Sequence, residues 1–212
     1  MKLTLHTFLS IDGVMQGPGG PSEDRSGGFD RGGWLVPYSD EGMGEIVTGW
    51  FEKADAILLG RTTYTMMQEF WSQVTDPENP VATALNNLPK YVATSTPLEP
   101  GWNNSTALTD DAIAQIRELK AKPGDGELQV HGSCGLARSL HEAGLIDEYR
   151  LLTFPVVVGT GKRLFTDGAP ASGFEVVDSR ITRTGTTYVA LAPTPFRAGD
   201  IEVEDGKEKE IR

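Results

Sequence analysis

Apolar residues first gather at 2–9, KLTLHTFL, a β-prone run leading into Ser10-Ile11-Asp12-Gly13, and this predicts a buried opening strand. From 17 to 33 the segment GPGGPSEDRSGGFDRGG has no hydrophobic period, and its glycines and prolines predict a long loop. Such a loop inside a compact domain is commonly a cover over a site, so 17–33 is expected to be a flexible lid. Asp40 is placed to N-cap a helix in which Met43, Ile46, Val47, Trp50 and Phe51 recur at i, i+3, i+4, i+7 and i+8. Ala56-Ile57-Leu58-Leu59 reads as a short buried strand stopped by Gly60. A helix follows, capped at Thr62 or Thr63 and carrying Met66, Met67 and Phe70.

The alternation continues. Tyr91-Val92-Ala93-Thr94 is a strand ended by Ser95-Thr96-Pro97, and Asp110 or Asp111 caps a helix with Ile113, Ile116 and Leu119, closed by Pro123-Gly124-Asp125-Gly126. Leu128-Gln129-Val130-His131 is a strand, followed by a helix whose buried stripe is Leu136, Ala137, Leu140 and Ala143, with Gly144 at its C-terminal cap. A long apolar strand covers 149–158, and 174–181 with 186–191 forms a hairpin around Arg183-Thr184-Gly185. Strands alternating with helices, then strands alone, predict an α/β fold: a mostly parallel central sheet with helices on both faces and a C-terminal antiparallel hairpin. The last stretch, GDIEVEDGKEKEIR, is charged and aperiodic. The chain therefore divides into one domain over 1–195 and a mobile charged tail over 196–212.

Composition narrows the function. At 212 residues the chain suits a single core, and its 38% hydrophobic and 23% charged residues fit a folded globular protein. No apolar run approaches the roughly 18 residues of a membrane span, and the first residues are too short a stretch for a signal peptide, so a cytoplasmic location without a membrane partner is expected. A net charge of −11 and the lack of clustered Lys and Arg argue against nucleic acid. The single cysteine, Cys134, can form neither an internal disulfide nor a thiolate cage for zinc, and no metal site is expected.

The stretch QVHGSCGLA, 129–137, concentrates the candidate chemistry. His131 and Cys134 would need further ligands to hold a metal, yet His6 and His141 lie on other elements; Cys134 as a nucleophile would need a partner base and otherwise packs as a small apolar residue. Gly132 and Gly135 flank a tight strand-to-helix turn whose N–H groups and helix dipole favour an anion. Gly60-Arg61-Thr62-Thr63 offers the same arrangement, with an Arg able to bond a phosphate bidentately. Gly159-Thr160-Gly161-Lys162 is not a P-loop, because Arg163 stands where Ser or Thr is required, and 156–161 lacks the G-x-G-x-x-G spacing. Strand ends at Gly60, Ser95 and Gly132 thus bring hydroxyls, amides and charge to one edge of a sheet, where ligands of open α/β folds bind.

Six ordered segments carry a family resemblance: S-x-D-G at 10–13, ILLGRTTY at 57–64, YVATST at 91–96, VHGSCGLARSL at 130–140, GLIDEYRL at 144–151 and PVVVGTGKRLF at 155–165. Together, over about residues 2 to 192, they resemble the dihydrofolate reductase-like superfamily, and more narrowly the C-terminal reductase domain of the riboflavin-biosynthesis deaminase-reductases and its stand-alone relatives. The resemblance implies an NADPH-dependent reductase of a small heterocyclic substrate, similar to 5-amino-6-(5-phosphoribosylamino)uracil reductase, and commonly a homodimer. By position, Gly60, Arg61 and Thr62, with Thr94, Ser95 and Thr96, would hold the adenosine ribose and its 2′-phosphate. Gly132, Ser133, Cys134, Gly135 and Leu136 would seat the pyrophosphate. Asp12 would lie near the nicotinamide or the substrate, and Trp34 would close over the pocket. The deaminase half with its zinc motifs is not in this chain. The turn reads Val130-His131-Gly132-Ser133 where the riboflavin enzymes resemble V-E-G-G, which favours the stand-alone branch. Glu41 or Glu45 could stand in for the carboxylate that dihydrofolate reductases carry on the helix after the lid. Hydride transfer needs no protein nucleophile, and Asp12 reads either as a polar contact or proton donor, or as a turn-forming residue. A non-catalytic nucleotide-binding or dimeric scaffold and a dihydrofolate or pterin reductase are the alternatives.

Overall fold

The computed structural model describes residues 1–98, 101–204 and 206–211. In chain order the elements are β1 (Lys2–Ser10), α1 (Glu41–Phe51), β2 (Ala54–Gly60), α2 (Arg61–Trp71), α3 (Pro80–Asn87), β3 (Lys90–Ala93), β4 (Ser105–Leu108), α4 (Ala112–Lys120), β5 (Glu127–His131), α5 (Cys134–Glu142), β6 (Glu148–Phe154), β7 (Ser172–Ile181), β8 (Thr187–Pro195), β9 (Asp200–Glu204) and β10 (Lys207–Ile211). Eight strands form one sheet in the order β4-β3-β2-β5-β1-β6-β8-β7. From β4 to β6 every neighbouring pair is parallel, whereas β8 runs antiparallel to both β6 and β7. This is the mostly parallel sheet with a terminal hairpin that the alternation predicts.

The period-2 alternation of each strand divides its residues between two layers. Leu3, Leu5 and Leu9 of β1 join Leu128 and Val130 of β5 in a core covered by Ile116 and Leu119 of α4 and Ala137 and Leu140 of α5. The opposite face meets α1 through Ile46 and Trp50, together with Phe29, Trp34 and Leu35 from the long loop, while Tyr64, Leu85 and Trp102 pack over Ile57 and Leu59 of β2. Toward the amino ends of the strands this second face is charged. Arg150 donates to both oxygens of Glu127, at 2.9 and 2.6 Å, and to Glu148 at 2.6 Å; Gln129 donates to Glu127 at 2.7 Å. Burial alone would lower the Arg150 pKa, but the two carboxylates outweigh it and keep the guanidinium charged. Such a network adds little net stability, yet its loss of one partner is costly, which fixes the register of β5, β1 and β6 against one another.

Several sequence expectations are corrected. Helix α2 begins at Arg61 with Gly60 as N-cap, so Thr62 and Thr63 lie inside its first turn and cap nothing. Tyr64, Met67 and Trp71 form its inner face, and Phe70 is 62% exposed. The strand expected over 149–158 ends at Phe154, before Pro155, where the missing N–H cannot continue the ladder. Helix α3 and strand β4 were not expected. The helix has a legible start, Asn79 accepting from the Ala82 N–H at 3.0 Å and Pro80 in the first turn, but at eight residues it shows little period. The charged segment after Gly199, for which the sequence reading gives no strand, carries β9 and β10, which pair with each other and not with the main sheet. Among the described residues no helix is long and apolar enough to cross a membrane.

Lys90, the first residue of β3, is fully buried. Its ammonium donates to the carbonyls of Leu85 at 2.7 Å and Leu88 at 2.8 Å, closing the end of α3, and lies 4.7 Å from the Trp102 ring centroid. Burial pushes its pKa down to about 8 from the ordinary 10.5. Between those two values the unfolded chain binds more protons than the folded one, so this group makes stability rise with pH through that window, its penalty being fully present below about 8. Denaturant titrations at about pH 7.5 and about pH 9.5 are expected to show this gain in the wild type and not in Lys90→Met.

Candidate active site at the carboxyl ends of the strands

Strands β3, β2 and β5 are parallel neighbours, so their carboxyl ends open on the same edge. Only Gly132 and Ser133 separate β5 from α5, and both are left-handed, with φ of 62° and 59°. Gly132 adopts this without cost, while Ser133 does not. Ser133 makes no cap to its own helix, leaving the N–H groups of Cys134, Gly135 and Leu136 without intrahelical acceptors at the positive end of α5. Its Oγ instead accepts the N–H of Gly60 at 2.8 Å. A Cβ on Gly60 would sit 3.4 Å from the Ser133 side chain, a close approach that a glycine eases. Helix α2 likewise starts without a side-chain cap, and Thr62 is exposed in its first turn. Arg61 Nη1 donates to the Pro97 carbonyl at 2.8 Å, which ties α2 to the turn after β3. In that turn Thr94 Oγ1 donates to the Thr96 carbonyl at 3.0 Å and accepts the Thr96 N–H at 3.1 Å; Ser95 lies between them. The residues expected around ribose, 2′-phosphate and pyrophosphate thus form one continuous rim.

The side chains of 129–137 have other tasks. His131 is buried between the Phe51 and His6 rings, with both centroids 4.8 Å away, and its Nε2 shares a hydrogen bond with Gln129 Oε1 at 3.1 Å. Burial, with the Arg150 charge adding to it, pushes the His131 pKa down to about 3. His6 is held low by burial, then by His131 and Arg150. The two histidines meet because β1 and β5 pair residue 6 with residue 131, a register invisible from their sequence separation. They are neutral stacking groups at neutral pH. Cys134 Sγ donates to the Arg163 carbonyl at 3.1 Å, and burial pushes its thiol pKa up, which disfavours a thiolate nucleophile.

Asp12 ties the end of β1 to the segment after β6. Its Oδ1 accepts from Ser10 Oγ at 2.7 Å and from the Val158 N–H at 3.0 Å; its Oδ2 accepts from the Gly159 N–H at 2.8 Å and from Arg163 Nη2 at 3.1 Å. Burial opposes ionisation, but the Ser10 hydroxyl and the Val158 and Gly159 N–H groups outweigh it and hold the carboxyl well below the usual carboxylate range. An ionised Asp12 has no proton to give near neutral pH. Glu41 and Glu45 are both exposed, so neither forms an enclosed carboxylate.

Four functional candidates escaped the sequence reading: Gln16, Arg138, Lys162 and Arg163. Gln16 donates to the carbonyls of Asp24 and Ser26 and accepts the Lys162 N–H, while Lys162 Nζ bonds Asp24 and Ser26, each at 2.7 Å. Arg138 of α5 donates twice to the Arg163 carbonyl, at 3.0 and 2.5 Å. The 17–33 segment is stitched by these contacts and by the Gly33 N–H to the Gly17 carbonyl at 2.8 Å; Trp34 is buried, its Nε1 donating to the Gln16 carbonyl at 2.8 Å. An open groove of about 430 Å3 remains between them, lined by Gln16, Ser26, Phe29, Thr160 and Lys162. The signal for this half was GTGKR itself, dismissed because it lacks a P-loop's spacing.

A profile described as the RibD C-terminal domain matches residues 1–190. The chain belongs to the RibD C-terminal domain family. Among curated proteins it is 25% identical to the uncharacterized protein YyaP of Bacillus subtilis (strain 168) over 190 residues, covering 89% of this chain and 93% of YyaP. Among solved structures, a Shewanella sp. PV-4 protein named for riboflavin biosynthesis superposes with a TM-score of 0.68 at 22% identity, covering 92% of this chain and 99% of its own. RibD of Acinetobacter baumannii gives 0.59 at 16% identity over 91% of this chain and 58% of its own. Dihydrofolate reductase of Enterococcus faecalis, solved as a complex with NADP(H), gives 0.58 at 12% identity, over 91% and 96%. The RibD C-terminal domain seen here therefore has the dihydrofolate reductase-like fold.

Asp12→Ala removes an acceptor from two backbone N–H groups and a partner from Arg163. It is expected to cost about 2 kcal/mol in denaturant unfolding and to open 156–163 to limited proteolysis. A loss below about 0.5 kcal/mol would show that the tie is not needed to hold the edge.

Proposed function

We propose that this chain is an NADPH-dependent reductase of a small heterocyclic substrate, similar in chemistry to 5-amino-6-(5-phosphoribosylamino)uracil reductase. The observation that carries this reading is the rim that two uncapped helix starts, at Arg61 and Cys134, form beside the 94–96 turn on adjacent parallel strands, the two starts being joined by the Gly60–Ser133 hydrogen bond. The residues present suit the cofactor. Cys134, Gly135 and Leu136 offer N–H groups at a helix start, and Arg61 spends one of its five donors on Pro97. When bound, NADPH supplies the hydride, and the protein supplies orientation and dryness. In this reading Arg61 and Thr62 with Thr94, Ser95 and Thr96 bind the ribose and 2′-phosphate, and Gly132 to Leu136 bind the pyrophosphate. Asp12 orients Arg163 and the 158–159 amides beside the substrate and gives up no proton. The groove beside Lys162 admits the substrate, under the 17–33 segment as its cover.

Fluorescence titration tests this directly. NADPH is expected to bind saturably, and Arg61→Ala to weaken it by about 1–3 kcal/mol more than NADH. Equal losses for both would remove the 2′-phosphate role, and no binding of either cofactor would refute the reading. Cofactor oxidation with pterins, pyrimidinediones or quinones separates a reductase from a scaffold, and turnover of a pterin alone would favour the dihydrofolate-type alternative.

The partner we propose is a second copy joined along β7, whose outer edge is unpaired among the described residues and exposes Val176, Val177 and Ile181. A bulge lies between Val176, opposite Leu191, and Asp178, opposite Ala190, so Phe174, Val176, Ser179 and Ile181 share one face while Glu175 and Arg180 share the other. Antiparallel self-pairing that sets residue 174 against 181 then also sets each Glu175 against an Arg180 of the other copy, a self-complementary edge as a two-fold requires. Sedimentation should find a dimer that Arg180→Glu weakens and the added Glu175→Arg restores. A monomer at every concentration, or no rescue by the charge swap, would remove this interface.

A further inference from the structure

We propose that Ser133 is a positioning residue that locks the α2 turn and the α5 turn into a single unit, so that the grip on the 2′-phosphate depends on a side chain in the pyrophosphate turn. The inference rests on the reductase reading of this rim. Ser133 occupies φ 59°, ψ 64°, a left-handed conformation that is strained for a non-glycine residue and that glycine adopts freely. The strain is not repaid within α5, since the hydroxyl does not cap its own helix. The one hydrogen bond of that hydroxyl among the described residues crosses to the neighbouring strand, accepting the Gly60 N–H at 2.8 Å.

Gly60 is the N-cap of α2, and Arg61 is the first residue of that helix. Whatever fixes the Gly60 peptide therefore sets where the Arg61 backbone starts, and Arg61 in turn reaches the Pro97 carbonyl beyond β3. The contact is short-range on both sides: a Cβ on Gly60 would meet Ser133 Cβ and Oγ at 3.4 Å, and a Cβ on Gly132 would meet Thr63 Cγ2 at 3.6 Å. The two turns thus interlock through Gly60 with Ser133 and Gly132 with Thr63. Of these contacts only the Ser133 hydroxyl supplies a directional bond. A left-handed Ser in place of Gly exchanges local backbone ease for the fixed separation of two turns, the trade expected where geometry matters more than stability.

Ser133→Gly is the informative variant, because it removes the hydroxyl while relieving the strain and so is expected to leave the thermal midpoint unchanged or raised. Hydrogen exchange on the free protein should accelerate in the peptide containing Gly60 and Arg61. NADPH affinity should fall about five- to tenfold and NADH affinity by less, because the loss acts through Arg61. In combination with Arg61→Ala, Ser133→Gly should add little further loss for NADPH, the non-additivity expected of residues acting through one another. Unchanged exchange around Gly60, equal losses for the two cofactors, or fully additive effects with Arg61→Ala would each overturn the proposal. A lowered thermal midpoint with proportionate loss of both cofactors would mark Ser133 as merely structural and overturn it as well. A wild-type chain that binds neither cofactor refutes the reductase reading, and with it the cofactor half of the proposal, while the exchange measurement still decides whether the clamp exists.

Discussion

Six parallel neighbours, β4, β3, β2, β5, β1 and β6, impose the constraint from which the site follows. Each parallel return demands a crossover, and a crossover helix that starts directly after its strand must start on the carboxyl edge. Helix α2 begins one residue after β2 ends, and α5 begins three residues after β5 ends. Both bring the positive ends of their dipoles, and uncapped N–H groups, to the same rim. The gathering of uncapped helix starts on one rim is thus a property of topology and of very short connections. No phosphate-binding sequence motif is needed to explain it.

Along the α1 face the sheet changes character from one end to the other. Toward the amino ends, Glu127 and Glu148 are compensated by Arg150 and Lys2; level with Arg150, His6 and His131 stack as neutral rings against Trp50 and Phe51. Burial first, then for His6 its neighbour His131, and for both rings the cation of Arg150, keep those histidines uncharged. Charge at the carboxyl rim is therefore supplied from the rim itself. On the β3–β2–β5 side it is positive, from helix starts and Arg61. On the β1–β6 side Asp12 and Arg163 neutralise each other at 3.1 Å. The rim is therefore electrically uneven, positive toward α2 and α5 and closer to neutral toward Asp12 and Arg163.

The fold was legible because its signals are backbone-periodic. Alternating strands, the Asp40 and Asp111 caps and the Gly144 stop all stand where the residue pattern puts them. Short elements without a full period, α3 and β4, were not. Within the rim, Arg61, the 94–96 turn and Gly132 to Leu136 were legible as residue types that suit phosphate, but their mutual contacts depend on strand order, and order is not written in any local stretch. Asp12 shows the limit most clearly. As a sequence feature it is a polar residue after a strand with Ser10 beside it; its partners Val158, Gly159 and Arg163 lie about 150 positions away, and they make it a tie between distant segments. The GTGKR segment stands out by composition but not by task, because what it does, lacing the end of β1 to the long loop, depends on partners far away in sequence.

That lacing constrains how the 17–33 segment can move. Its inner end is held by Lys162 with Asp24 and Ser26, by Gln16 with the 24 and 26 carbonyls, and by buried Phe29 and Trp34. Gln16 also accepts the Lys162 N–H, and residue 163 carries both the partner of Asp12 and the carbonyl to which Cys134 and Arg138 of α5 donate. A displacement of the long loop that broke the Lys162 contacts would strain the same five-residue stretch that anchors Asp12 and touches the start of α5. The placement of the 17–33 segment and the geometry of the rim are therefore linked through 159–163. A loop held by isolated contacts frays one contact at a time, whereas displacing this one would release several hydrogen bonds and the buried Phe29 and Trp34 rings together.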